Sequence, residues 1–335
     1  MIPISVLDLV PVAEGQNEGQ ALANSLDLIR TAERCGYTRY WVAEHHNMVG
    51  IASAATSVVI GHLAAGTSTI RVGAGGIMLP NHSPLVIAEQ FGTLAALFPG
   101  RIDLGLGRAP GTDQIAMRAM RRDPMASDQF PDDVLELQAL LGDPVEGQAI
   151  RAVPGAGSHV PLWILGSSLF GSQLAAMLGL PYAFASHFAP DALVQALEIY
   201  RARFRPSAQL THPHAVACVN VVVADTDAEA KRLFTTIQQR FVAMVRGTRG
   251  KLQPPIDDIE TYWSPMEKAH ASRMLTRSFV GSPATVKVGL DAFIAETHVD
   301  ELMVACAVYD HAARRRSYEL LSDIMRPQAN RHAAG

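Results

Sequence analysis

The side chains able to do chemistry gather in a few short runs. The first is Glu44-His45-His46-Asn47, one residue after the apolar stretch Tyr40-Trp41-Val42. Histidine exchanges protons near neutral pH, which makes His45 a candidate acid–base group and puts Glu44 and His46 beside it as candidate substrate-pocket residues. The same set could ligate a metal. However, adjacent residues of an extended chain point to opposite faces, and no further run of ligands completes a site. The bland alternative is that the pair caps a strand end through local hydrogen bonds.

The second run is Val72-Gly73-Ala74-Gly75-Gly76-Ile77-Met78-Leu79-Pro80. Glycine weakens a strand unless a bulge or a close approach requires it, so Gly75 and Gly76 mark backbone that touches something flat; packing against a helix competes with this reading. The third run, Gly105-Leu106-Gly107-Arg108-Ala109-Pro110-Gly111, is not a dinucleotide fingerprint, because Pro110 stands where the third glycine belongs. Arg108 could clamp a phosphate or pair with Asp113. The fourth is Leu165-Gly166-Ser167-Ser168-Leu169-Phe170-Gly171-Ser172, where a helix begins. Free N–H groups, the positive helix end and serine hydroxyls there favour an anion, against the alternative of ordinary serine capping. His187, in Ala185-Ser186-His187-Phe188, either lines the same pocket or is a satisfied core histidine.

The elements that would position these runs alternate. Strands are expected at 3–9, 40–42, 70–78, 102–106, 161–165, 182–186, 215–224 and 301–307. Helices are expected at 18–35, 52–66, 85–98, 130–141, 169–178, 190–204, after Asp225 or Thr226, at 285–296 and at 312–325. Eight β–α units predict an α/β fold, a single-domain (β/α)₈ TIM barrel over residues 1–335. Each run then falls where a strand ends, the place such barrels keep their active sites. The usual barrel has ~250 residues, so this chain carries insertions. Residues 107–127 read as a long loop with some helical potential, and 247–281, polar and rich in Gly and Pro, as an insertion that could act as a lid.

Composition narrows the class. With 48% apolar and 18% charged residues the chain can bury a large core. A net charge of −4 argues against a nucleic-acid partner. Arg121-Arg122 and Arg314-Arg315-Arg316 read as solvated helix faces. Cys35, Cys218 and Cys306 have neither metal nor redox spacing and are expected to be buried free thiols of a reducing, cytoplasmic protein. The first residues lack a signal-peptide pattern. Residues 51–66, the nearest thing to a membrane span, suit a helix packed on several sides.

Taken together, Tyr40–His46, Val72–Pro80, the helix at Glu89 leading to Gly100-Arg101-Ile102-Asp103-Leu104-Gly105-Leu106-Gly107-Arg108, and Leu165–Ser172 followed by Gly179-Leu180-Pro181 resemble the bacterial luciferase-like family of flavin-dependent monooxygenases. The resemblance runs in order over residues 3–325 and is weakest in 112–160 and 247–281. It implies a luciferase-like barrel holding FMN in its mouth. Reduced FMN would be supplied by a separate flavin reductase and used with O₂ to oxygenate a small organic substrate. His45 matches the family's catalytic histidine. Gly75-Gly76 matches a non-prolyl cis peptide beside the flavin ring, and Arg108, Ser167, Ser168, Gly171 and Ser172 match the phosphate cradle. Luciferase has a carboxylate at the position of Ser167 and a reactive cysteine at that of Gly107, so light emission is not expected. The resemblance also implies a homodimer formed through 52–66 and 85–98. Three alternatives stay open: hydride transfer with the deazaflavin F420, a non-catalytic flavin-binding protein on the same fold, and a metal-dependent hydrolase using Glu44, His45 and His46.

Overall fold

A computed structural model describes residues 2–109, 111–248 and 250–326. Strand and helix alternate in the order β1 Ile4–Asp8, α1 Glu18–Arg34, β2 Arg39–Val42, α2 Thr56–Ala65, β3 Arg71–Met78, α3 Pro84–Leu97, β4 Ile102–Gly107, α4 Gln114–Ala119 and α5 Phe130–Leu141. Then come β5 Leu162–Gly166, α6 Leu169–Leu178, β6 Tyr182–Phe184, α7 Leu193–Arg203, β7 Ala215–Val223 and α8 Asp227–Val245. The chain finishes with α9 Pro265–Met274, β8 Ser278–Gly281, α10 Pro283–Thr297, β9 Glu301–Ala305 and α11 His311–Met325.

Strands β1 to β7 pair in sequence order, all parallel; β9 pairs with β7 on one side and β1 on the other, and closes an eight-stranded barrel. The fold is therefore the expected (β/α)₈ barrel. The ninth strand, β8, was not expected. Asn220 pairs with Ala305 of β9 and also with Ser278 of β8, so β8 continues the edge of β7 that short β6 leaves free. Three half-buried residues and one buried glycine inside a polar stretch give little period-two signal, which is why the strand was hidden.

The helix boundaries follow local chemistry. Asn17 caps α1 by accepting from Gln20 N at 2.9 Å, and Gly36, at φ +77°, ends it. Thr226 caps α8 through Glu229 N. Ser264 and Glu267 form a reciprocal capping box on α9. Residues 247–281 are thus not one free loop: they contain α9, β8 and a 3-10 turn at Ile259–Thr261. The loop expected at 107–127 holds α4 and the start of a 3-10 turn.

One large apolar layer lies between the strands and the helices and includes Val6, Tyr40, Val42, Leu104, Ile164, Leu28, Ile60 and Phe91. A smaller cluster fills the barrel itself: Leu7, Trp41, Ala43, Trp163, Ala183, Val216, Cys218, Met303 and Ala305. These alternate with the outer residues along each strand, as the pleat requires. At the N-terminal ends, Arg39 plugs the barrel. It donates to Glu301 and Asp103, both at 2.8 Å, and lies 4.6 Å from the centre of the Trp163 ring.

Two expectations about charges and thiols change. Arg314 is not on a solvated face: it is buried and donates to Asp8 Oδ1 at 2.7 Å. Cys218 and Cys306 are buried free thiols, whereas Cys35 is only half-buried. No helix among the described residues is long and apolar enough to cross a membrane.

Candidate functional site

A cavity of about 1020 Å³ occupies the barrel mouth at the C-terminal strand ends. It is lined mainly by apolar side chains with a few polar groups among them, which is the usual make-up of a small-molecule site, and it is as large as such sites become. Its floor is the outer part of the barrel cluster, including Trp41 and Ala43.

Alternation along β2 decides which part of the Glu-His-His run reaches this space. Trp41 and Ala43 face inward, so His45 does too, and it lines the cavity. Glu44 and His46, expected in the substrate pocket, take the other parity and do not line it. The Glu44 carboxylate is buried in the wall, 2.7 Å from His46 Nε2 and 2.9 Å from His82 Nε2, and accepts from Met78 N at 3.0 Å. Burial alone would raise its pKa; the hydrogen bonds from His46 and His82 outweigh burial and hold it at about 2. His46 is raised in turn by its hydrogen bond to Glu44. The ligand atoms of Glu44, His46 and His82 lie within 4.8 Å of one another, but in this arrangement they bond to each other. The metal set Glu44, His45, His46 is divided between two faces.

Strands β3 and β4 leave room beside His45 because inward positions near the mouth, Gly75 and Gly107, are glycines. A Cβ on Gly75 would meet Leu7 Cδ1 at 2.8 Å and Trp41 Cβ at 3.0 Å. One on Gly76 would meet Gly105 O at 2.7 Å. The β3–β4 register shifts between Gly75 and Ile77, so the run contains both a bulge and a close approach. The Gly75–Gly76 peptide is cis. Gly75 and Gly107 line the cavity; Gly76 lies behind it.

The anion cradle expected after β4 and β5 is assembled in part. Arg108, Ser167, Ser168 and Gly171 line the same side of the cavity as Phe170. The Arg108 guanidinium lies 4.2 Å from the centre of the Phe170 ring. It makes no ion pair with Asp113 among the described residues; Asp113 caps α4 and accepts from Asn47 at 3.1 Å. Ser168 is the N-cap of α6, yet its hydroxyl makes no capping bond and stays open to the cavity. Ser172 is different: it is buried and its hydroxyl donates to Leu169 O at 2.8 Å inside α6. It does not line the cavity, and its hydroxyl is spent on the helix backbone.

His187 lines the far side of the cavity, after β6. Burial, then the nearby charges of Arg240 and His45, push its pKa down to about 3, so the ring is neutral at physiological pH. Three contributors carry no motif: His82, Arg240 on α8, and the segment 250–253 across the mouth. Only Arg240 had a readable signal. It interrupts the apolar stripe Leu233, Ile237, Phe241 of a predicted helix.

The geometry agrees with what the chain is similar to. The sequence model of the luciferase-like monooxygenases matches residues 2–301. A protein of Escherichia coli K12 described as a luciferase-like monooxygenase is 55% identical over 324 residues, 96% of this chain and 97% of its own. The N-acetyl-S-alkylcysteine monooxygenase of Bacillus subtilis is 30% identical, covering 96% of this chain and 98% of its own. The crystal structure of apo-MsnO8 superposes with a TM-score of 0.90 at 38% identity, covering 97% and 98% of the two chains. With the barrel, the glycine floor and the histidine at the end of β2 in place, this protein belongs to the luciferase-like monooxygenase family.

Proposed function

We propose that the protein is a flavin-dependent monooxygenase that uses reduced FMN and O₂ to oxygenate a small organic substrate. The observation that carries this reading is the glycine floor. Side chains are missing from Gly75 and Gly107 beside His45, and the hydroxyls of Ser167 and Ser168 and the Arg108 guanidinium line the same cavity with no hydrogen bond among the described residues. A flat ring with a phosphate tail fits that combination. The cavity is also large enough to hold a second molecule.

FMN bound there in its reduced form would supply the electrons that activate O₂. The chain does the rest. Arg108, Ser167 and Ser168 hold the phosphate, and Phe170 keeps the guanidinium in place. Gly75 and Gly107 let the backbone approach the ring. Apolar walls exclude water. His45 Nδ1 is buried, so the proton exchanged with the cavity is the one on Nε2. Glu44 acts behind the wall: by holding His82 and Met78 it fixes the strand ends that present His45 and Gly75.

In this reading the FMN comes reduced from a separate flavin reductase in the cytoplasm. The part of 247–281 that acts as a lid is 250–253, together with Tyr262, since these reach the cavity while α9 and β8 pack elsewhere. The protein works as a homodimer through α2 and α3.

The test is a titration of the purified protein with FMN, oxidised and then anaerobically reduced, with F420 as comparison. Binding of reduced FMN, followed by O₂ consumption that requires His45, supports the proposal. Binding of F420 alone assigns hydride transfer instead. Flavin binding with no turnover that His45→Ala alters assigns a non-catalytic flavin carrier.

A further inference from the structure

Helix α8 crosses the barrel mouth with a buried stripe of Leu233, Ile237 and Phe241, and Met244 follows one turn on. Arg240 belongs to the same stripe by spacing, seven residues after Leu233. A cation in such a place is costly unless something neutralises it. No ion pair or hydrogen bond satisfies the Arg240 guanidinium among the described residues, and the one charge near enough to act on it is another cation, Arg314, which is paired with Asp8. Its polar end opens on the cavity.

His187 stands on the same wall, within electrostatic reach of Arg240. Its Nδ1 is buried and has no partner among the described residues, so the proton the neutral ring can offer the cavity is the one on Nε2. The backbone that carries it is held by Asn220, whose Nδ2 donates to His187 O at 2.6 Å. A permanent cation and a neutral N–H donor, set among Ile237, Phe241 and Met244, make a two-point receptor for a monoanion with an apolar tail. The cofactor's phosphate is already served by Arg108, Ser167 and Ser168, which follow β4 and β5, whereas His187 and Arg240 follow β6 and β7.

We infer that Arg240 and His187 form a subsite for the carboxylate of the substrate, and that the substrate class is small apolar carboxylic acids. Calling the ligand the substrate rests on the flavin monooxygenase reading; the subsite itself does not.

Calorimetric titration of the full-length protein, with and without FMN, tests this with hexanoate and its neutral counterpart hexan-1-ol. Hexanoate is expected to bind about ten-fold or more tightly than the alcohol, the usual range for a hydrogen bond to a charged group. Arg240→Gln should bring the two within about two-fold while leaving FMN affinity unchanged, and Arg108→Gln should do the reverse. Equal binding of acid and alcohol by the wild-type protein overturns the inference, and needs no variant that must fold. So does an Arg240→Gln protein that loses FMN and keeps its preference for hexanoate. A preference for hexanoate that Arg240→Gln abolishes, in a protein that never binds FMN, leaves the subsite standing and removes the flavin reading.

Discussion

His82 Nε2 lies 2.9 Å from one Glu44 carboxylate oxygen and 3.0 Å from the other, so a histidine from the turn after β3 clasps a carboxylate from the end of β2. With His46 Nε2 also 2.7 Å from that carboxylate, the clasp ties together the two strand ends that border His45 and Gly75.

The clasp makes stability depend on pH in a definite direction. Glu44 is held at about 2, below its ordinary 4.5, so its contribution is present above 4.5 and is lost as pH falls toward 2. That contribution amounts to about 3 kcal/mol. His46 is raised above 6.5, so its contribution is present below 6.5 and is lost as pH rises through the raised value. Urea unfolding midpoints of the wild-type protein should therefore drop between pH 5 and 3. Glu44→Gln should start lower at pH 7 and show a flatter acid limb. Parallel curves for the two proteins would remove the clasp from the account.

Arg314 and Asp8 make a second buried pair, 2.7 Å apart, between α11 and β1. Burial raises the Asp8 pKa, but Arg314 and the hydroxyls of Ser25 and Tyr40 together hold it below the ordinary value. Arg314→Met strands the carboxylate, at a cost of about 3–5 kcal/mol. Adding Asp8→Asn should recover a large part of the loss. Calorimetric melting of the two single variants and the double variant measures the coupling; additive losses would contradict it.

The glycine floor predicts unequal tolerance. A methyl group on Gly107 is crowded by the end of Met78, Sδ at 2.9 Å and Cε at 3.1 Å, which can swing aside, and meets Ile77 O at an ordinary 3.8 Å. On Gly75 it meets the Trp41 Cβ and Leu7, which are fixed in the barrel cluster. Gly107→Ala should stay within about 1 kcal/mol of wild type, whereas Gly75→Ala should lose about 1–3 kcal/mol and bind FMN about ten-fold more weakly. Urea unfolding and flavin fluorescence titration give the two readouts, and equal behaviour of the variants would contradict the floor.

Val58 on α2 is 72% exposed and Leu97 at the end of α3 is 64% exposed, both on the helices expected to meet a second copy. The wild-type protein should sediment as a dimer at micromolar concentration and the Val58→Glu, Leu97→Glu double variant as a monomer. A wild-type monomer would end the dimer proposal.

Much of the barrel is legible in the sequence because each unit repeats the same two periods and is closed by clear stops such as Gly36 and Gly179. The site is legible where strand parity speaks. Trp41, Ala43 and His45 share a face, and the same rule places Glu44 and His46 in the wall, against the simpler idea that strand-end residues all point inward. Ser172 was obscured because a helix-start serine can serve its own backbone as readily as an anion. Arg314 was obscured because three consecutive arginines look solvated, although a helix turns consecutive side chains by 100° and buries one of them. His82 and Leu252 act through contacts that only the closed barrel creates, and no local pattern announces those.

Leu252 joins the segment over the mouth to the loop after β1 by two backbone hydrogen bonds: its N–H donates to Val12 O at 2.9 Å, and its carbonyl accepts from Glu14 N at 2.8 Å. Parting those bonds and exposing one leucine costs on the order of 3–5 kcal/mol, so the unlatched form would be a minor population of roughly 0.02–0.6%. No barrel strand has to move for this to happen. For the lid proposed above, traffic through the doorway would then be set by a small latch whose strength one residue can tune, independently of the rigidity that keeps the floor of the cavity in place.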